Sequence, residues 1–129
     1  MSNASAGATI LVVEDVDTMR ALLVHQVGGL QGVGRVVQAR NTWEARRELR
    51  RNRPHAVLLD EVLPGESSLD LLRELLGEGI PVILLTSLEG GGPERALPEG
   101  VLHRVPKGGE GAVQDLLENA ILPILKTIP

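Results

Sequence analysis

Cysteine, phenylalanine and tyrosine are all absent from the 129 residues, and tryptophan occurs once. Without cysteine there can be no disulfide and no thiolate metal site, which fits a reducing cytoplasm. Without Phe or Tyr the core has to be built from Leu, Val, Ile and Ala. A mechanism that needs a mobile aromatic ring has Trp43 as its one candidate. Long apolar runs are missing too: the longest are strand-sized, well short of the roughly 20 residues that span a bilayer. The N-terminus lacks the basic and apolar regions of a secretory signal. The net charge is −4 and no face reads as a basic stripe, which argues against direct nucleic-acid binding. What remains is one compact cytoplasmic domain with no membrane contact, long enough to bury its own core.

Residues 1–8 are small and polar and read as a disordered lead-in, leaving residues 9–126 for the domain. Thr9 to Val13 is apolar on both faces and stops abruptly at Glu14-Asp15, the pattern of a strand buried between helices. Met19, Leu22, Leu23 and Val27 follow helical spacing up to Gly28-Gly29. Arg35 to Ala39 is a short second strand. Asn41 with Glu44 three residues on resembles a capping box for a helix reaching Arg51, whose arginines are expected on a solvated face. Ala56 to Leu59 is a third buried strand, ending at Asp60. Ser67 or Ser68 can cap a helix carrying Leu69, Leu72, Leu75 and Leu76. Ile80 to Leu85 is a fourth strand, ending at Thr86-Ser87. Gly90 to Gly100 is so rich in glycine and proline that any helix there is expected to be short or frayed. Val101 to Val105 is a fifth strand, ending near Lys107. A last amphipathic helix, Ala112 to Leu125, is expected to end or kink at Pro123. Five βα units with short connections predict an α/β fold: a doubly wound parallel sheet with helices on both faces and its site at the carboxyl ends of the strands.

The residues at those strand ends carry the chemistry. They are Glu14 and Asp15, Asp60, Thr86 and Ser87, and Lys107. Three carboxylates in one crevice repel one another, and a hard divalent cation relieves that; Mg²⁺ prefers a few carboxylate oxygens plus waters. An ammonium and a hydroxyl beside them suit the oxygens of an incoming phosphoryl group. Together this is equipment for phosphoryl transfer onto a carboxylate. Glu14 and Asp15 also suit a helix N-terminus, and Asp60 a turn before Pro64, so each residue alone has a simpler reading.

Several segments resemble receiver domains of bacterial two-component systems, the chemotaxis ones especially. They are Val12-Val13-Glu14-Asp15 with Thr18-Met19-Arg20, Leu58-Leu59-Asp60 through Pro64-Gly65, Pro81 through Ser87, and Val105-Pro106-Lys107. Ser87-Leu88 followed by the glycine-rich stretch also resembles the receiver of chemotaxis methylesterases. The resemblance spans residues 9 to about 125 and implies a flavodoxin-like (βα)5 fold with strand order 2-1-3-4-5. It implies Asp60 as phosphoacceptor, with Mg²⁺ or Mn²⁺ held by Glu14, Asp15, Asp60 and the backbone carbonyl of Val62. Thr86 would sense the phosphoryl group and Lys107 would pair with it. The phosphodonor would be a histidine kinase or phosphotransfer domain, and the output a contact with a downstream protein. There are departures: Ser68 stands where glycine is usual before the third helix, Gly108 follows the lysine instead of proline, and Arg104 occupies a switch position that is usually aromatic. A buried guanidinium is costly, so Arg104 is expected at the surface with its head in water, near Glu89, Glu94 or Glu99. Two other functions compete. One is a receiver-fold scaffold that is never phosphorylated. The other is a small aspartyl-phosphate hydrolase, which would want an acid two residues after the nucleophile, where this chain has Val62.

Overall fold

A computed structural model describes residues 7–86, 98–101, 103–107 and 111–128. The strands are β1 (Ala8–Val13), β2 (Val33–Ala39), β3 (Ala56–Asp60), β4 (Val82–Thr86) and β5 (His103–Pro106). The helices among the described residues are α1 (Asp17–Gly28), α2 (Thr42–Arg51), α3 (Ser68–Gly77) and α4 (Gly111–Leu125). All five strands are parallel, in the order β2-β1-β3-β4-β5. Residues 1–6 of the expected lead-in and most of the segment Gly90 to Gly100 lie outside the described residues, as do Ser87, Glu89 and Glu94; Ala8, at the end of that lead-in, is instead buried and opens β1. No helix among the described residues is long and apolar enough to cross a membrane.

Alternation along the central strands splits the core in two. Ile10, Val12, Leu58, Ile83 and Leu85 face Leu23 and Val27 of α1 and Leu117, Ala120, Ile121 and Ile124 of α4. Leu11, Val13, Val57, Leu59, Val82 and Leu84 face Ala45 of α2 and Leu71, Leu72 and Leu75 of α3. Since side chains alternate with period two, strands that are apolar throughout must be covered on both faces. Leu58 and Leu59 are adjacent, point opposite ways, and are both fully buried.

Local details bear out some of the sequence pattern and correct the rest. The Asn41 side chain accepts the Glu44 N–H at 2.8 Å, capping α2. The Glu44 carboxylate does not close the box on Asn41; it accepts the Arg40 N–H at 2.8 Å instead, one residue further back. Ser67 is the cap of α3, accepting the Asp70 N–H. Leu71, not Leu69, is in the core, and Leu69 is exposed. Pro123 does not end α4, which runs on to Leu125. The ring removes one helical bond, to the Asn119 carbonyl, and the chain beyond it still closes a turn through the Lys126 N–H to the Leu122 carbonyl at 3.2 Å.

The arginines of α2 are more engaged than a free solvated face. Arg46 bonds Glu74 of α3, Arg51 lies 3.6 Å from Glu48, and the Arg47 guanidinium lies 5.1 Å from the centroid of the Trp43 ring. Just beyond α2, Arg53 donates to the Glu78 carbonyl at the far end of α3. The Arg46 and Arg53 ties fasten α2, which buries few apolar side chains, to α3, while the contacts of Arg47 and Arg51 stay within α2.

Candidate functional site

Three strands stop at one edge of the sheet, and each contributes there. β1 leads into Glu14 and Asp15, β3 ends on Asp60, and β5 leads into Lys107. Oxygens of Glu14, Asp15 and Asp60 lie within 4.8 Å of one another. Glu14 is fully buried and Asp60 nearly so. The Lys107 ammonium donates to Glu14 Oε1 and to Asp60 Oδ2, at 3.0 Å each. Sequence reasoning named these four residues, and the fold brings them together.

The backbone holds the two buried acids in place. The Val16 N–H donates to Glu14 Oε2 at 3.0 Å, and the Val62 N–H donates to Asp60 Oδ1 at 3.0 Å. Val16 is the N-cap residue of α1 and makes no side-chain cap bond, so Glu14 meets the start of the helix through the Val16 N–H. Arg20 reaches back from α1 to the Glu14 carbonyl at 3.0 Å. The Ser68 hydroxyl donates to the Asp60 carbonyl at 2.8 Å, so serine in the place of glycine ties the start of α3 to the end of β3. Between those two points Gly65, at φ +75°, makes the turn in the left-handed region.

Electrostatics follow from one ammonium serving two buried carboxylates. Burial pushes the Glu14 carboxyl above its ordinary 4.5; the bonds from Val16 and Lys107 pull it down, and the Asp60 charge pushes it up again. Burial alone would lower Lys107. The bonds to Asp60 and Glu14 outweigh that and hold it above its ordinary 10.5, so the ammonium stays charged. The donor set suits a hard divalent cation: three convergent carboxylates, with water able to enter beside a partly exposed Asp15.

Thr86 is buried at the end of β4, and its carbonyl accepts the Lys107 N–H at 2.8 Å. The Val62 side chain is largely exposed beside the acids. Arg104 overturns the surface expectation. Its side chain is only 3% exposed, and its Nε donates to Glu61 Oε1 at 2.8 Å. The Glu61 carboxylate accepts from two nitrogens of the guanidinium, which makes that burial tolerable. Glu61, Ser68 and Arg20 were not anticipated; the signal for Glu61 was its place directly after Asp60, one residue outside the strand.

The sequence model of the response regulator receiver domain matches residues 10–109. A protein-glutamate methylesterase/protein-glutamine glutaminase of Rhizobium etli is 34% identical over 111 residues, which cover 83% of this chain and 32% of that protein. The chain thus spans about a third of the length of that curated relative. Among solved structures, a Francisella response regulator receiver domain superposes with a TM-score of 0.74 at 19% identity, covering 94% of this chain and 98% of the other. The Mn²⁺-bound form of the response regulator Rcp1 superposes with a TM-score of 0.68 at 19% identity, covering 95% and 97%. At that identity these two likenesses speak for the fold alone. With a matching family model, a parallel 2-1-3-4-5 sheet and an acid cluster at its carboxyl edge, the chain belongs to the receiver domains of two-component response regulators.

Proposed function

We propose that the chain accepts a phosphoryl group on Asp60 from a histidine kinase or phosphotransfer domain and signals by contact with another protein. The observation that carries this reading is the Lys107 ammonium, 3.0 Å from both Glu14 and Asp60 at a buried strand edge. Glu14, Asp15, Asp60 and the Val62 carbonyl would hold Mg²⁺ or Mn²⁺. Such a cation would offset the charge of the carboxylates and of the phosphoryl oxygens. An Asp60 carboxylate oxygen attacks phosphorus. The bond from phosphorus to the donor histidine nitrogen breaks, and its electron pair stays on that nitrogen. Lys107 is near enough to shift from Asp60 Oδ2 to a phosphoryl oxygen, and the Thr86 hydroxyl sits at the end of the neighbouring strand. The Val62 N–H keeps Asp60 aimed throughout.

The test is incubation with acetyl phosphate, read by intact mass. One added phosphoryl group is expected with Mg²⁺, and none with EDTA or in Asp60→Asn. Undiminished labelling of Asp60→Asn would end this reading. An unlabelled wild type would leave the scaffold alternative.

A further inference from the structure

A second acid–base pair runs beside Asp60 and Lys107. Glu61 directly follows Asp60, and Arg104 lies three residues before Lys107. Arg104 Nε and Nη2 donate to the two oxygens of Glu61, at 2.8 and 3.3 Å. In the order β3-β4-β5 the strands carrying these pairs are not neighbours, so both ties stride over the end of β4. Arg104 is almost wholly shielded and Glu61 mostly so, at 3% and 16% side-chain exposure, which sets this pair apart from the exposed arginine ties of α2.

What the pair holds is the peptide that aims Asp60. The Glu61 N–H bonds the Leu85 carbonyl at 3.0 Å, the Val62 N–H bonds Asp60 Oδ1, and the Asp60 carbonyl takes the Ser68 hydroxyl. Alongside Glu61 opens a cavity of about 190 Å³, also lined by Ser68, Leu69, Leu72, Leu84 and Pro98. That space gives the turn room to relax if the Glu61 side chain loses its hold. A carboxylate aimed through a backbone turn is only as well aimed as the turn is fixed.

We propose that the Glu61–Arg104 ion pair is a positioning device for the acid site: it fixes the turn from Asp60 to Val62, and so the orientation in which Asp60 meets cation and phosphodonor. The inference rests on the reading of Asp60 as phosphoacceptor, and it adds two residues that act through Asp60 without touching the reacting atoms.

The test uses Glu61→Leu/Arg104→Met, which removes both charges together so that neither is left buried alone. Glu61→Gln, whose amide oxygen still accepts from Arg104, is the conservative comparison. Three quantities are read: Mn²⁺ affinity by electron paramagnetic resonance, hydrogen exchange of the Val62 amide in metal-free protein, and the labelling rate with acetyl phosphate. The double variant is expected to bind Mn²⁺ about tenfold or more weakly, to exchange the Val62 amide faster, and to label correspondingly slowly. Glu61→Gln is expected to stay near wild type in all three. Wild-type Mn²⁺ affinity and Val62 exchange in the double variant would overturn the inference and reduce the pair to a stability element. A wild type that binds Mn²⁺ without labelling would overturn the phosphoacceptor reading, while the ratio of Mn²⁺ affinities would still decide this one.

Discussion

Replacing Lys107 with methionine isolates what the ammonium does before any phosphoryl group arrives. Methionine keeps much of the volume and removes the charge. Glu14 and Asp60, both buried, then face each other with oxygens no more than 4.8 Å apart. At an effective dielectric of about 20, two unit charges at that distance repel by roughly 3.5 kcal/mol. The protein has one way out, which is to protonate Glu14. From an ordinary value of 4.5 that costs at most about 3.4 kcal/mol at pH 7, and burial, by raising the Glu14 value, lowers the cost. Both routes put the loss at about 3 kcal/mol, near the range seen when one partner of a buried pair is removed. For a chain of this length that lowers the melting temperature by about 10 °C in EDTA. Mg²⁺ restores a counter-charge. At ten times its dissociation constant it adds about 1.4 kcal/mol, and it no longer competes with Lys107 for the same oxygens. Calorimetry of wild type and variant, each with EDTA and with millimolar Mg²⁺, reads all four states. If Lys107→Met melts within a degree or two of wild type in EDTA, the ammonium is not holding the acids together and the electrostatic account of the site is wrong.

The converse substitution should act in the opposite sense. Asp60→Asn removes one acid and leaves Glu14 with Lys107, so in EDTA it should melt at or above wild type while gaining less from Mg²⁺. Asn41→Ala removes the cap of α2 and should cost about 1 kcal/mol in urea denaturation, without changing Mn²⁺ affinity. Arg40 beside Glu44 holds that carboxyl below its ordinary 4.5, by side-chain and backbone bonds. A depressed carboxyl stabilises above its unfolded value and stops doing so as pH falls through the folded one. Wild type should therefore exceed Glu44→Gln in stability above about pH 4.5 and lose that margin below it, as followed by circular dichroism across an acid titration.

Strands were the most legible part of the sequence, because a run such as Ala56 to Leu59 has no reading but burial on both faces. Four of the chemical residues were legible for a related reason: in a parallel sheet, whatever ends a buried strand lands at the same edge. Helix faces were less so. Leu69 and Leu71 both fit an apolar stripe, and only the direction in which α3 leaves the Gly65 turn decides which one meets the sheet. Arg104 was misread because only an unpaired burial was weighed, and its partners were sought among the acids nearby in sequence. Its partner Glu61 lies 43 positions earlier, and nothing short of strand order brings the two together. The Ser68 hydroxyl escaped notice for the same reason: serine before a helix reads as a cap, and here the neighbouring Ser67 already fills that role.

The lone indole has a practical consequence. Trp43 stands on the first turn of α2, 61% exposed, with a guanidinium over its ring. An indole that exposed should already emit as a hydrated one while the protein is folded, so unfolding should shift the fluorescence very little. With neither tyrosine nor phenylalanine, the near-ultraviolet dichroism of the native core should be close to blank. A spectroscopic denaturation curve for this protein has to be taken from amide signals. A blue shift of the indole on adding a partner would report a contact at the first turn of α2 and carry no information about the core.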